Sequence, residues 1–237
     1  MLKAILLAAG NGTRLRPLTN GTPKCLLPIQ GTPLLQVWLE SCKAAGIGEV
    51  LINAHAHAAQ VHKFVEDWNG GIKLQIAEER ELLGSAGTLA ENRGFVADEK
   101  EFFVLYGDVL TNLDLRSMLE FHRRRDVIAS LAVHRVADPK RCGIVGVDEQ
   151  GMVQSFVEKP EHPESNLAFS GVMVASPNLL EFVPAERPAD IGFHLLPKLL
   201  GKMAACEIDA YLLDIGTLEA YETAQKTWPG LRGVART

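Results

Sequence analysis

The chain has 237 residues, of which 47% are hydrophobic, and a net charge of −5. That length supplies one large α/β domain with an ample core, and the acidic balance excludes a general nucleic-acid binder, which carries a basic excess. Cys25, Cys42, Cys142 and Cys206 are scattered with no Cys-x-x-Cys pair, no cationic leader opens the chain, and no apolar run approaches the roughly 18 residues of a bilayer span. These features predict reduced thiols in a cytoplasmic protein with no nucleic acid and no membrane among its partners.

Ala4 to Leu7 reads as a buried strand that runs into Ala8-Ala9-Gly10-Asn11-Gly12-Thr13-Arg14, with Pro23-Lys24 further on. Two glycines let main-chain N–H groups come close to a ligand, while Thr13, Arg14 and Lys24 supply a hydroxyl and positive charge. Such a loop at the carboxyl end of a first strand suits a polyphosphate. Leu15 stands where a dinucleotide fingerprint needs a third small residue, and no Gly-Lys-Ser/Thr triplet follows as in a Walker A loop. The alternative is a plain strand-to-loop turn.

Thr32-Pro33 predicts a helix start, with a helix from Leu34 to Ala45 ended by Gly46. A strand at Glu49–Asn53, a helix at Ala58–Trp68 and a strand at Lys73–Ala77 complete a βαβαβ order, hence a parallel sheet with helices on both faces. His55 and His57 have no third ligand in view and read as a polar loop. The run Leu83-Gly84-Ser85-Ala86-Gly87 opens another helix, whose free N–H groups would form a second ligand edge. Phe102 to Tyr106 is an apolar strand leading to Gly107-Asp108, and an aspartate at a strand tip reads as a metal ligand or as the cap of the next turn.

A helix at Leu113–Arg124 ends in His122-Arg123-Arg124-Arg125, a solvated basic end, and Ile128–Val136 is a strand. Beyond Pro139 the chain turns β-rich. A hairpin at 144–147 and 153–157 leads to Glu158-Lys159-Pro160, followed by a strand at Leu167–Val174 that contains Ser170-Gly171. Helices at Asn178–Phe182 and Phe193–Lys202, a strand at Ile208–Leu213, and a helix capped by Thr217 and running through Lys226 finish the chain, with a frayed end from Pro229. With no linker or repeat, 1–237 reads as one domain: a nucleotide-binding half to about residue 136, and a β-rich half after it, able to cover the first.

Two carboxylates, two lysines and a glycine loop suit phosphoryl or nucleotidyl transfer, where the protein positions reactants and neutralises charge. Hard carboxylates call for Mg²⁺. The segments Leu7 to Leu15, Pro23-Lys24, Leu83 to Gly87, Gly107-Asp108, Glu158-Lys159-Pro160, Ser170-Gly171 and Asp214-Ile215-Gly216-Thr217 together resemble the sugar-1-phosphate nucleotidyltransferases, in order and over nearly the whole chain. The resemblance implies a Rossmann-like, mixed and mostly parallel sheet, and a short form without a fused C-terminal β-helix. It implies a nucleotide site at Ala8, Ala9, Gly10, Asn11, Gly12, Thr13, Arg14 and Lys24, with Gly84, Ser85 and Gly87 toward the base; Glu78 or Glu79, as a carboxylate, reads as an acceptor for the N–H edge of guanine or as a solvated loop charge. It further implies Mg²⁺ on Asp108 and Asp214, and a sugar site of Gly143, Glu158, Lys159, Ser170 and Gly171. Arg14, Lys24 and Lys159 are then the catalytic cations, and a nucleoside triphosphate and a sugar 1-phosphate the partners. Cys25 departs from the proline usual after the lysine, and Leu213 from the tryptophan frequent before the aspartate.

Within that family the Leu-Gly-Ser-Ala-Gly turn and the Phe-Val-Glu-Lys-Pro string look like mannose- and heptose-type guanylyltransferases, with GTP as donor. A uridylyltransferase acting on muramate- or glucose-type 1-phosphates is the alternative. A non-catalytic nucleotide-sugar-binding subunit is a reading of another class, opposed by the retention of Lys24, Asp108, Lys159 and Asp214. An NAD-dependent oxidoreductase is opposed by Leu15. The apolar C-terminal half offers a surface for a homodimer.

Overall fold

The computed structural model describes residues 1–231. Its elements in chain order begin with β1 (Lys3–Leu7), β2 (Pro28–Ile29), β3 (Thr32–Pro33), α1 (Leu34–Ala44), β4 (Glu49–Ala54), α2 (Ala58–Glu66) and β5 (Lys73–Glu78). There follow α3 (Ser85–Glu91), α4 (Arg93–Val96), β6 (Phe102–Tyr106), β7 (Val109–Thr111), α5 (Leu115–Arg123), β8 (Ala129–Arg135), β9 (Gly143–Val147) and β10 (Val153–Glu158). The last are β11 (Leu167–Ala175), β12 (Met203–Glu207), β13 (Leu212–Asp214) and α6 (Leu218–Thr227). Among the described residues no helix is long and apolar enough to cross a membrane.

The chain forms two compact units built from separated segments: Met1–Leu82, Leu105–Leu115 and the chain from Ala210 in one, Leu83–Val104 and Arg116–Asp209 in the other. In the first unit β1, β4 and β5 pair in parallel, with Leu7 opposite Asn53 and Asn53 opposite Ala77. β4 is buried along its whole length, as a strand flanked on both sides must be, and α1 and α2 make the crossovers. α1 buries Leu34, Leu35, Trp38, Leu39 and Cys42, and Gly46 ends it at φ +78, a backbone region that glycine enters without penalty. β7 and β13, short and antiparallel, set Asp214 opposite Val109.

In the second unit β8 lies between β11, antiparallel, and β12, parallel. β9 and β10 make the expected hairpin, its turn closed by Asp148 Oδ1, which accepts from the N–H groups of Gln150 and Met152.

Four local expectations need correction. Thr32-Pro33 does not cap α1; it pairs with Pro28–Ile29 as a small ladder, and α1 has no side-chain cap. The helix expected over Phe193–Lys202 is one π turn (Ile191–Leu195) and a short 3₁₀ turn (Leu196–Lys198), because Pro197 has no N–H to give to a regular ladder. Of the strand expected over Ile208–Leu213 only Leu212 and Leu213 are strand, in β13; β12 already ends at Glu207 and belongs to the other unit. Finally, His122 is not part of a solvated basic end. It is buried, with Nδ1 2.9 Å from the fully buried Ser130 Oγ, while Arg123 pairs with Glu101 and Arg124 with Glu120. The expected fraying falls largely on residues outside those described; Trp228 is buried, and the Gly230 carbonyl accepts from Asn112.

Burial holds the His122 imidazole below the usual histidine range, and the same cause lowers His134. In the fold each imidazole holds a proton less readily than in the unfolded chain, whose histidines titrate near pH 6.5, so stability is full above that pH and falls as pH drops toward the folded values. Denaturant midpoints are expected to fall between pH 7.5 and pH 5.5, and His122→Gln to flatten part of that slope. An unchanged slope in His122→Gln removes His122 from the account.

Candidate active site

β1 delivers the chain into the loop at the end of its strand, and Leu15, fully buried, roots the loop in the core. Gly12 adopts a left-handed conformation (φ +60), and its carbonyl accepts from Leu15 N at 2.9 Å and Thr19 Oγ1 at 2.8 Å. A Cβ at Gly12 would sit 2.9 Å from Thr19 Cγ2, whereas one at Gly10 would meet nothing within 4 Å. Gly12 is therefore required by the turn, and Gly10 keeps its surface open. The loop, Lys24, Gly107, Asp108 and Gly216 line a cavity of about 220 Å³ in the first unit.

Lys24 stands on a short turn set off by Pro23 and is 7% exposed, so its ammonium is held rather than free to swing. It lies 2.9 Å from Asp108 Oδ2 and 3.8 Å from Asp214 Oδ1. The two aspartates are 106 positions apart on the numbering and meet because β7 starts beside Asp108 and pairs with β13, which ends at Asp214. Ile215 N donates to the Asp108 carbonyl at 3.1 Å and ties the two ends together. A Cβ at Gly216 would be 2.8 Å from an Arg14 guanidinium nitrogen, so the glycine lets Arg14 lie against this cluster. Crowding by surrounding protein and then the Asp108 charge push the Asp214 carboxyl upward, against the pull of Lys24, the Gly216 N–H and Arg14.

Ala8 and Ala9 do not offer their N–H groups to a ligand, because both donate to Asn53 Oδ1, at 2.6 and 3.2 Å. Glu79 is buried and accepts from Asn53 Nδ2 at 2.8 Å, whereas Glu78 is exposed and meets His62 at 3.1 Å. Asn53 carries no motif in the sequence. A polar residue closing an otherwise apolar strand was the available signal.

The second unit holds the other predicted residues. Glu158 ends β10 with its carboxylate against Gly143 and Gly192, where a Cβ at either glycine would collide with it. Burial pushes its carboxyl up, opposed by Lys159 and reinforced by Asp190. Lys159 has φ +52, donates its N–H to the Cys142 carbonyl at 2.9 Å, and places Nζ 3.8 Å from Glu158 and 5.8 Å from the centre of the exposed Phe193 ring. Asp190, Gly192 and Phe193 were not singled out in the sequence; they enter because the π turn folds here instead of a helix. Ser170 is buried, and Gly171 adopts φ +79 in the irregular part of β11.

The Gly84 turn differs from expectation. The N–H groups of Ala86 and Gly87, expected to be free for a ligand, donate to the Ala189 carbonyl at 2.9 and 3.1 Å. Ser85 Oγ donates to Asp190 Oδ2 and accepts from Ile191 N. Gly87 faces the Arg187 side chain.

The chain is 33% identical to a mannose-1-phosphate guanylyltransferase of Arabidopsis thaliana over 96% of its own length and 64% of the relative's. It is 33% identical to a mannose-1-phosphate guanylyltransferase of Mycobacterium tuberculosis over 92% and 62%. It thus spans less than two thirds of those relatives' length. Among solved structures, HddC from Yersinia pseudotuberculosis complexed with GMP-PN is 27% identical with a TM-score of 0.80, covering 96% of this chain and 100% of that one. A UDP-glucose pyrophosphorylase complexed with UDP-glucose has a TM-score of 0.84 at 21% identity, covering 96% and 98%. That last likeness is one of fold: the mixed, mostly parallel sheet with helices expected from the sequence. Residues 3–229 match the family described as nucleotidyl transferase, and the chain belongs to that family.

Proposed function

We propose that this protein transfers a nucleotidyl group from a nucleoside triphosphate to a sugar 1-phosphate and releases pyrophosphate, with GTP as donor and a mannose- or heptose-type 1-phosphate as acceptor. The observation that carries the reading is Lys24 Nζ held between Asp108 and Asp214 in a glycine-lined cavity. Guanine is favoured by the names of the relatives and by the nucleotide in the HddC complex.

In this reading the N–H groups from Gly10 to Thr13 cradle the phosphates, and Arg14 and Lys24 balance their charge. A phosphate oxygen of the sugar 1-phosphate attacks the α-phosphorus in line, the bond to the β-phosphate's bridging oxygen breaks, and pyrophosphate leaves. The attacking oxygen is already anionic, so no general base is required. Preorganised cations carry the catalysis, since charge moves onto the leaving group while the protein stays in place. Glu158 accepts from sugar hydroxyls, and Lys159 pairs with the sugar phosphate.

The donor set fits Mg²⁺ on Asp108 and Asp214. Two hard carboxylates converge on one ammonium, Lys24 Nζ, at 2.9 and 3.8 Å, and the cavity beside them has room for water and phosphate oxygens. Bound there, Mg²⁺ supplies neutralisation of charge on the phosphate oxygens.

Pyrophosphate release measured across the four ribonucleoside triphosphates and a panel of sugar 1-phosphates is expected to be fastest with GTP and mannose 1-phosphate. UTP used at least about tenfold better, roughly 1.4 kcal/mol of discrimination, overturns the guanine assignment. No release with any pair overturns the reading.

A further inference from the structure

We propose that Asn53 is a positioning residue for the phosphate-binding loop, and that Glu79 fixes which way its side-chain amide faces. The inference rests on the reading of Gly10 to Thr13 as a phosphate cradle. β1 loses its ladder at Leu7, opposite Asn53, so the N–H groups of Ala8 and Ala9 have no strand partner to continue with. Asn53 Oδ1 takes both, at 2.6 and 3.2 Å. The residue is 4% exposed, so little water competes for these bonds.

An asparagine amide can present either end, and which end it presents is set by its neighbours. Here the other neighbour is the Glu79 carboxylate, 6% exposed, whose Oε1 accepts from Asn53 Nδ2 at 2.8 Å. Turned over, the amide would set Nδ2 against two N–H donors and Oδ1 against a carboxylate. Glu79 is itself anchored: its N–H donates to the Ala54 carbonyl at 2.8 Å, and its carbonyl meets His55 Nδ1 at 2.8 Å. The series Glu79, Asn53, Ala8–Ala9 thus carries rigidity from β4 and β5 to the residue before Gly10. Beyond it, two glycines would otherwise leave the loop free to wander. Glu79 accordingly acts on the nucleotide through Asn53, in place of the direct contact to the base expected of Glu78 or Glu79.

Exchanging donor and acceptor separates positioning from simple stability. N53D sets two buried carboxylates against each other and is expected to raise the KM for the nucleoside triphosphate and lower kcat, together by about 10- to 100-fold in kcat/KM, the scale on which small misplacements act. The KM for the sugar 1-phosphate stays at its native value. In N53D/E79Q the introduced carboxylate accepts from Ala8, Ala9 and the introduced amide, so kcat/KM returns to within about threefold of the native enzyme. If N53D does not fold, E79Q alone decides, because a neutral acceptor keeps the fold but no longer enforces the amide's direction; a rise of about threefold or more in the nucleotide KM alone is expected.

Native nucleotide kinetics in N53D, or in E79Q where N53D is insoluble, overturn the proposal. So does a double variant that melts like the native protein yet stays as impaired as N53D. Equilibrium binding of GTP, UTP, ATP and CTP to the unmodified protein tests the cradle separately: if none binds, it is the phosphate-loop reading that fails.

Discussion

Lys24→Met is expected to lower turnover by about 10²- to 10³-fold, the range found when one preorganised electrostatic group is removed. Lys24 touches both aspartates, at 2.9 and 3.8 Å, and its stem is almost wholly enclosed. Methionine preserves the stem's packing and removes only the charge. Asp108 and Asp214 then repel without a counterion between them, and the phosphates lose a cation whose position needed no adjustment. Lys24→Arg is expected to fail as well, since a planar fork does not reproduce a compact ammonium in a slot of this size. Initial rates with GTP and mannose 1-phosphate, alongside melting curves, check the result. Turnover of Lys24→Met within threefold of the native protein would place the reaction's charge compensation elsewhere.

Much of this arrangement was legible in the sequence because it depends on local patterns. The apolar runs at Ala4–Leu7 and Phe102–Tyr106 became β1 and β6 within a residue at each end, since a buried strand needs a continuous apolar run and turn residues to bound it. Thr217 caps α6 as read, its hydroxyl accepting from Ala220 N at 3.2 Å. Glycine, lysine and aspartate at strand tips marked the first unit's cavity, because polar residues there have no reason to be buried by the fold alone. Long-range relations were not legible. The pairing of β7 with β13 joins segments about a hundred residues apart, and no local signal distinguishes Asp214 as the partner of Asp108; the resemblance supplied it. Asn53 showed only as a polar residue at the end of an apolar strand, and its role became visible only when Ala8, Ala9 and Glu79 took their places around it. The π turn at Ile191–Leu195 was not legible either, because Phe193, His194, Leu195, Leu196 and Leu199 form a mostly apolar run that suits a helix, and the interruption by Pro197 does not announce a π turn.

Gly84→Ala is expected to cost about 3 kcal/mol or more. Gly84 sits at φ +77 and ψ 158, a region that side chains other than glycine's enter at a cost of about 1–3 kcal/mol from the backbone alone. The added Cβ would also collide with the Ala189 carbonyl oxygen and lie 2.7 Å from its carbon and 2.8 Å from its nitrogen. These are backbone atoms, so no rotamer change relieves the overlap. They are also the atoms that secure the turn, since the Ala189 carbonyl accepts from Ala86 and Gly87 while its N–H donates to the Leu83 carbonyl. Displacing Ala189 moves Asp190, which holds Ser85 and the N–H groups of Gly192 and Phe193, and Gly192 in turn walls in the Glu158 carboxylate. At about 2–4 °C per kcal/mol for a chain of this size, the melting temperature should fall by roughly 6–12 °C. The KM for the sugar 1-phosphate should rise more than that for the nucleotide. Gly94→Ala is the control: Gly94 lies within α4, keeps a negative φ, and a Cβ there meets nothing within 4 Å. Alanine at that position is expected to leave stability unchanged or raise it by about 0.5–1 kcal/mol, through better helix propensity and a less free unfolded chain. Equal melting temperatures for the two variants would mean that the close approach of Gly84 to Ala189 does not constrain the fold.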